Sequence, residues 1–251
     1  MLPDPPSRSG RPRLLQELQM GVRQLLPCAH EIHGLRSGRV EAVEILTRFH
    51  EDGGDLGSVG ELLRDPCLTS ESRLELDLSC LQAAFQALDR SAGAWDAAFL
   101  NVEPTTLGQE AFWERLQGWL RGPGATSMRV VLEITESCAD LDLEDLQASS
   151  RRLRELGVGI AVDDLGSGVA SLTHMARLTP DFIKADQSLV RQAHRRPYQA
   201  ALLNALAHFA RRMCVGFIAE GIESREELQA VHDADVPWAQ GFVYGEPVPI
   251  P

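Results

Sequence analysis

The chain has 251 residues, 44% of them hydrophobic, which is enough for one large fold or two small ones. Its formal net charge of −12 argues against DNA or RNA as a partner, since a nucleic-acid footprint needs clustered Lys and Arg. The five cysteines contain no C-x-x-C pair, so neither a disulfide framework nor a zinc site is encoded. No apolar run reaches the length of a membrane span, and a cytoplasmic protein without a membrane segment is expected.

Residues 1–26 begin rich in Pro, Ser and Arg and read as a flexible or helical leader; residues 27–251 read as a single domain. A candidate first strand lies at Glu31 to Leu35 and a second at Val43 to Leu46. His50 to Asp65 is a polar, Gly-rich connection. Helical spacing of Leu76, Cys80, Leu81, Phe85 and Leu88 predicts a helix over Ser72 to Leu88. Further short apolar runs predict strands at Ala97 to Val102, Arg129 to Ile134, Gly159 to Val162, Phe182 to Ile183, Val215 to Ala219 and Val236 to Trp238. Between them, Leu143 to Leu156 and Gln187 to Met213 have helical periodicity. Ser224-Arg-Glu-Glu227 has the form of a capping box that opens another helix. This alternation predicts a mainly parallel α/β sheet covered by helices. Eight strands at this length favour a closed (β/α)8 TIM-type barrel over an open doubly wound sheet, and no glycine-rich nucleotide motif supports the latter.

The residues that end each strand carry the chemistry. In order they are Glu44, Asn101, Glu133, Asp163-Asp164, Lys184, Glu220 and Gln240. In such a barrel the C-terminal strand ends converge on one mouth. One acid after a strand is ordinarily a helix cap or a solvated loop residue, and Lys184 alone would be a surface charge. As a set, however, the carboxylates would repel one another unless cations stood between them. Oxygen ligands suit Mg²⁺ or Mn²⁺ rather than zinc, because no cysteine or grouped histidine joins them. His30 and His33, spaced H-x-x-H, have no further ligands grouped around them. Adjacent Asp163 and Asp164 can hold two ions about 4 Å apart, an arrangement that serves in-line displacement at phosphorus. Lys184 would orient the attacking water or neutralise charge as it develops. A phosphoester substrate is indicated.

The same residues carry a family resemblance. Glu44-Ile-Leu-Thr-Arg48 resembles the E-x-L-x-R signature of EAL domains, Leu100-Asn-Val-Glu-Pro104 the N-V-S-P segment, and Leu132-Glu-Ile-Thr-Glu136 the E-L-T-E segment. Asp163-Asp-Leu-Gly-Ser-Gly168 is similar to D-D-F-G-T-G, Asp181-Phe-Ile-Lys-Ala-Asp186 to D-x-I-K-x-D, Ala219-Glu-Gly-Ile-Glu223 to A-E-G-V-E, and Gln240-Gly-Phe242 to Q-G-Y. Where the family has Gln-Pro in its first strand, this chain has His30-Glu31. The resemblance implies an EAL-like phosphodiesterase that opens cyclic di-GMP to linear pGpG by two-metal activation of water. It also implies metal ligands at Glu44, Asn101, Glu133, Asp163, Asp164 and Glu220, with Lys184, Gln240 and Glu220 acting on the water. Substrate contacts would come from Leu46, Arg48, Asp186 and Pro247, with Arg48 on a phosphate. Glu136, Ser167 and Glu223 would anchor the loop that begins at Asp163, and a homodimer through that loop region is a possible assembly. Mg²⁺ or Mn²⁺ would be the cofactor and Ca²⁺ inhibitory. The alternative is a catalytically weak EAL domain that acts as a cyclic di-GMP receptor or protein-interaction module.

Overall fold

The computed structural model of the chain describes residues 17–18, 23–51, 54–135, 143–165 and 178–251. Strands β1 (Leu26–Gly34) and β2 (Val40–His50) form an antiparallel hairpin that sets His30 opposite Glu44. Its turn is closed by the Gly34 N–H donating to the Arg39 carbonyl at 2.9 Å, and Gly38 supplies a φ of +66 that favours glycine. Strand β1 thus starts earlier than the predicted Glu31 to Leu35 and runs against its neighbours. A link this short can only reverse the chain.

From β2 onward the neighbours run parallel: β4 (Ala97–Val102), β5 (Arg129–Thr135), β6 (Gly159–Leu165), β7 (Phe182–Ala185), β8 (Gly216–Ala219) and β9 (Trp238–Ala239). β9 then pairs antiparallel with β1, and these eight strands close a barrel. Two short strands, β3 (Leu56–Ser58) and β10 (Val248–Pro249), add at its rims.

The outer layer is helical, with α1 (Val59–Leu63), α2 (Ser70–Arg90), α3 (Glu110–Trp119), α4 (Pro123–Ser127), α5 (Leu143–Glu155), α6 (Gln187–Val190), α7 (Pro197–Met213) and α8 (Arg225–Asp233). The predicted connection His50 to Asp65 contains β3 and α1. There Val59, Leu62 and Leu63 pack on Phe49, Leu76 and Leu18. The continuous helix predicted over Gln187 to Met213 is instead broken into α6, a 3-10 turn and α7. Gln192 is left-handed at φ +62, and Pro197 lacks the N–H that would continue a helix. The capping box at α8 is present: the Glu227 N–H donates to Ser224 Oγ and the Ser224 N–H to Glu227 Oε2, each at 3.2 Å.

Inside the barrel, Ile32, Ala42, Phe99, Val131, Ala161 and Ile218 form an apolar floor, with Phe182 and Trp238 packed against it. Side chains alternate along a strand, so a step of two residues returns to the same face. Two residues beyond Ala42, Phe99, Val131, Ala161, Phe182, Ile218 and Trp238 stand Glu44, Asn101, Glu133, Asp163, Lys184, Glu220 and Gln240. On the reversed β1 the same step runs backward, from Ile32 to His30. One ring of polar residues therefore rests on one ring of apolar ones.

Candidate functional site

Lys184 is fully buried at the centre of that ring. Its Nζ lies 2.5 Å from Glu220 Oε1, 2.7 Å from Glu133 Oε1, and 3.5 Å from both Glu44 Oε2 and Asp163 Oδ1. Burial works against its charge, but the four carboxylates prevail and hold its pKa well above the usual lysine value. Burial likewise opposes ionisation of Glu44. There the Lys184 ammonium, with hydrogen bonds donated by Asn101 Nδ2 (3.0 Å) and Gln240 Nε2 (2.7 Å), wins and lowers its pKa to about 2.

The other acids go the opposite way. Burial pushes Glu133 and Glu220 well above the carboxylate range despite Lys184, and the neighbouring negative charges add to the rise. Asp164 rises to about 6 through burial and the charge of Asp163 beside it. One ammonium does not neutralise this many carboxylates.

Adjacent strand residues normally face opposite sides, yet Asp163 and Asp164 reach the same mouth. Asp164 is left-handed at φ +60, and the β6–β7 register slips between Val162 and Leu165. That local bulge re-aims the second carboxylate, and aspartate is among the residues that tolerate the conformation. In consequence one oxygen each from Asp163, Asp164 and Glu220 lie within 4.8 Å of one another. Among the described residues, Glu133 Oε2 is buried without a hydrogen bond, and Asp163 Oδ1 has only the distant Lys184 ammonium. Orphaned carboxylate oxygens beside a compact acidic trio, with no thiolate among them, fit a hard divalent cation. Asp163, Asp164 and Glu220 could hold one, and Glu44, Asn101 and Glu133 have the donor atoms for another.

Gln240 Nε2 also lies 2.7 Å from His30 Nδ1, so it bridges His30 and Glu44. The next residue, Gly241, has a φ of +154, and a Cβ there would stand 2.3 Å from the backbone of Ile222. Only glycine lets the chain turn at this point with Gln240 aimed inward. His30 is a site residue that H-x-x-H spacing does not reveal. Its partner in that pattern, His33, stacks on Tyr244 with ring centroids 3.9 Å apart. The signal for His30 is its place two residues before Ile32 on a strand running backward.

A cavity of about 530 Å³ opens beside the ring and is lined by Glu44, Leu46, Arg48, Asn101, Asp163 and Asp164, and also by Arg64, Arg73 and Glu103. Arg48 Nη1 makes only long contacts, 3.4 Å to Ser58 Oγ and 3.5 Å to the Thr47 carbonyl. Asp186 caps α6 by accepting the Ser188 N–H at 2.9 Å, and its charge contributes to the rise at Asp164. Pro247 does not line the cavity. Glu223 is exposed, 3.9 Å from Arg191. Neither joins the ring. Glu136 and Ser167 lie outside the described residues, as does the stretch 166–177 that contains most of the Asp163 loop.

Behind the cavity, Asp77 on α2 is buried and accepts the Glu103 N–H at 3.1 Å. Burial raises its pKa from 3.8 to about 7. Its folded pKa therefore exceeds its unfolded one, so the native state holds a proton that the unfolded chain releases. Stability from this group is full below about pH 4 and falls as pH rises toward 7. Asp77→Asn keeps an acceptor oxygen and carries no charge. Its melting temperature should exceed the parent's by several degrees at pH 8, with a much smaller gap at pH 5. Calorimetry at the two pH values checks this, and a lower value for the variant at pH 8 contradicts it.

The sequence pattern of the EAL domain matches residues 14–247. Among curated relatives, the probable cyclic di-GMP phosphodiesterase PdeN of Escherichia coli is 26% identical over 84% of this chain and 41% of its own length. The cyclic di-GMP phosphodiesterase NbdA of Pseudomonas aeruginosa is 28% identical over 95% of this chain and 32% of its own. This chain thus spans less than half the length of either relative. Among solved structures, Klebsiella pneumoniae BlrP1 in its manganese and cyclic di-GMP complex superposes with a TM-score of 0.77. It is 25% identical, over 90% of this chain and 56% of that one.

Proposed function

This chain belongs to the EAL domain family, and from that premise we propose that it hydrolyses cyclic di-GMP to linear pGpG with two divalent ions, Mg²⁺ or Mn²⁺. The observation that carries the reading is the polar ring: carboxylates and amides gathered round one buried ammonium, beside a cavity of about 530 Å³. That volume is in the range of small-ligand sites. PdeN, NbdA and BlrP1 support the substrate class. Bound divalent ions supply Lewis acidity, which makes water a better nucleophile and offsets phosphate charge.

The chain's residues then divide the work. Glu44, Asn101, Glu133, Asp163, Asp164 and Glu220 hold the ions. Lys184 stays protonated and donates toward the nucleophilic water and the charge that develops on phosphate. Gln240 fixes that water through its Oε1, which has no hydrogen-bond partner among the described residues. Glu220 takes the water's proton as general base. Arg48 grips a phosphate with its weakly tethered guanidinium. Leu46 and Asp186 complete the substrate contacts, while Glu136 and Ser167 anchor the Asp163 loop.

Two further features belong to the same proposal. A homodimer through the Asp163 loop region is part of the reading, and sedimentation tests it; the surface helix α7 exposes Tyr198, Leu202, Phe209 and Met213, apolar area that a partner copy would cover. A cytoplasmic location is supported by the free thiols of Cys28, Cys67, Cys80 and Cys214. Among the described residues, no helix is long and apolar enough to cross a membrane.

The deciding experiment is turnover of cyclic di-GMP by the purified chain. Linear pGpG is expected with Mg²⁺ or Mn²⁺ and none with Ca²⁺ alone, since calcium accepts looser coordination than an in-line reaction needs. Binding without product in Mg²⁺ and Mn²⁺ would replace the reading with that of a cyclic di-GMP receptor. Neither binding nor product would leave a protein-interaction module.

A further inference from the structure

Three charged residues that line the cavity have no part in the chemistry above. Arg64 follows α1, Arg73 lies in α2, and Glu103 follows β4. Glu103 stands where the N-V-S-P pattern carries serine. The position is also fixed, because Asp77 holds the Glu103 N–H at 3.1 Å.

The Glu103 carboxylate is half-buried and, among the described residues, makes no hydrogen bond or ion pair. Arg73 and Arg64 line the same cavity, and their positive charges act on the carboxylate. The Arg64 guanidinium also makes no hydrogen bond, and Arg73 spends one Nη2 donor on the Asp65 carbonyl at 3.2 Å. A half-buried carboxylate is costly to leave unbonded when guanidinium forks are at hand. All three groups line the cavity.

A guanine fits such a set. Its N1–H and N2–H₂ are neighbouring donors for a carboxylate, and its O6 and N7 are neighbouring acceptors for a guanidinium fork. Adenine presents an amine where guanine has O6 and a lone pair where guanine has N1–H. It would therefore set donor against donor and acceptor against acceptor. We propose that Glu103, Arg64 and Arg73 read one guanine of the bound cyclic dinucleotide and so determine its base specificity. The identity of the ligand rests on the phosphodiesterase reading. Glu103 accepts from N1–H and N2–H₂, Arg64 donates to O6 and N7, and Arg73 supplies a counter-charge to Glu103.

The test compares cyclic di-GMP with cyclic di-AMP for the parent, Glu103→Gln and Arg64→Ala. Turnover is followed in Mg²⁺ and binding by calorimetry in Ca²⁺. Each variant should raise KM and Kd for cyclic di-GMP about tenfold or more, the worth of one good bidentate base contact, with kcat and melting temperature little changed. The preference for guanine over adenine should narrow, most in Glu103→Gln, whose amide meets a guanine donor with a donor. If both variants keep the parent's KM, Kd and preference, the trio does not touch the base. A fall in kcat at unchanged KM overturns the inference equally. Guanine-selective binding that weakens in Glu103→Gln, without any product from the parent, sustains the inference and removes the phosphodiesterase reading. Failure of the parent to bind either nucleotide removes both.

Discussion

Lys184→Met should lower the melting temperature of the metal-free protein by about 10 °C, and Mg²⁺ or Mn²⁺ should restore much of the loss. The Lys184 ammonium stands 2.5 to 3.5 Å from four carboxylates, three on different strands and Glu220 just past a fourth. Methionine fills a similar volume but leaves those acids without a counter-charge above an apolar floor. Breaking a buried ion pair from one side costs about 3–5 kcal/mol. In a domain of this size each kcal/mol moves the midpoint by about 2–4 °C. A divalent ion binding only the native state returns about 2.7 kcal/mol at a hundred times its Kd. The variant should therefore gain more from Mg²⁺ than the parent does, and turnover should still be lost because no donor remains at the water. Melting curves in chelator and in Mg²⁺ check this. Equal midpoints for parent and variant in chelator would show that Lys184 does not balance the ring.

Most of this site is legible in the sequence, for a reason that a strand's geometry supplies. Glu44, Asn101, Glu133, Asp163 and Lys184 each stand two residues past an apolar floor residue, so the alternation that buries the floor also aims the polar ring. His30 follows the same rule but runs backward. Seeing it requires knowing that β1 is antiparallel, which hydrophobic runs do not encode. The direction comes from the tight link to β2 and its Gly38 turn. Asp164 breaks alternation through a bulge, and only the tandem Asp-Asp hints at it.

Helix α7 shows a different limit. Helical periodicity on either side of Gln192 to Pro197 suggests one helix; Pro197 is a sequence signal for the break, whereas the left-handed conformation of Gln192 is not. Glu223 shows a third. It follows a strand like the other acids but lies past the turn at Gly221, whose φ is +63, and so points to solvent and Arg191 instead of the mouth. The Glu103 trio is hidden for want of pairing information, since its members come from a loop, a helix and a strand end.

Asp163→Asn and Glu44→Ala should both abolish measurable turnover, a loss of at least about 10²–10³, yet with opposite effects on the metal-free fold. An amide in place of the Asp163 carboxylate would keep the shape of the side chain and remove one negative charge from a crowd that includes Asp164 and Glu220 within 4.8 Å. In chelator that variant should be as stable as the parent or slightly more so, and it should lose the extra stability that Mg²⁺ confers. Glu44→Ala instead strips the acceptor from Asn101 Nδ2 and Gln240 Nε2. The Glu44 pKa is lowered from 4.5 to about 2, so its contribution is complete above pH 4.5 and disappears as pH falls toward 2. The variant should lose up to about 3 kcal/mol at pH 7, with the deficit shrinking below about pH 4. Those contrasting stability signatures separate a residue that gathers cations from one that also ties the ring together. Near-parental turnover by Asp163→Asn in saturating Mg²⁺ would remove Asp163 from the ligand set, and with it the reason for two adjacent carboxylates at the end of β6.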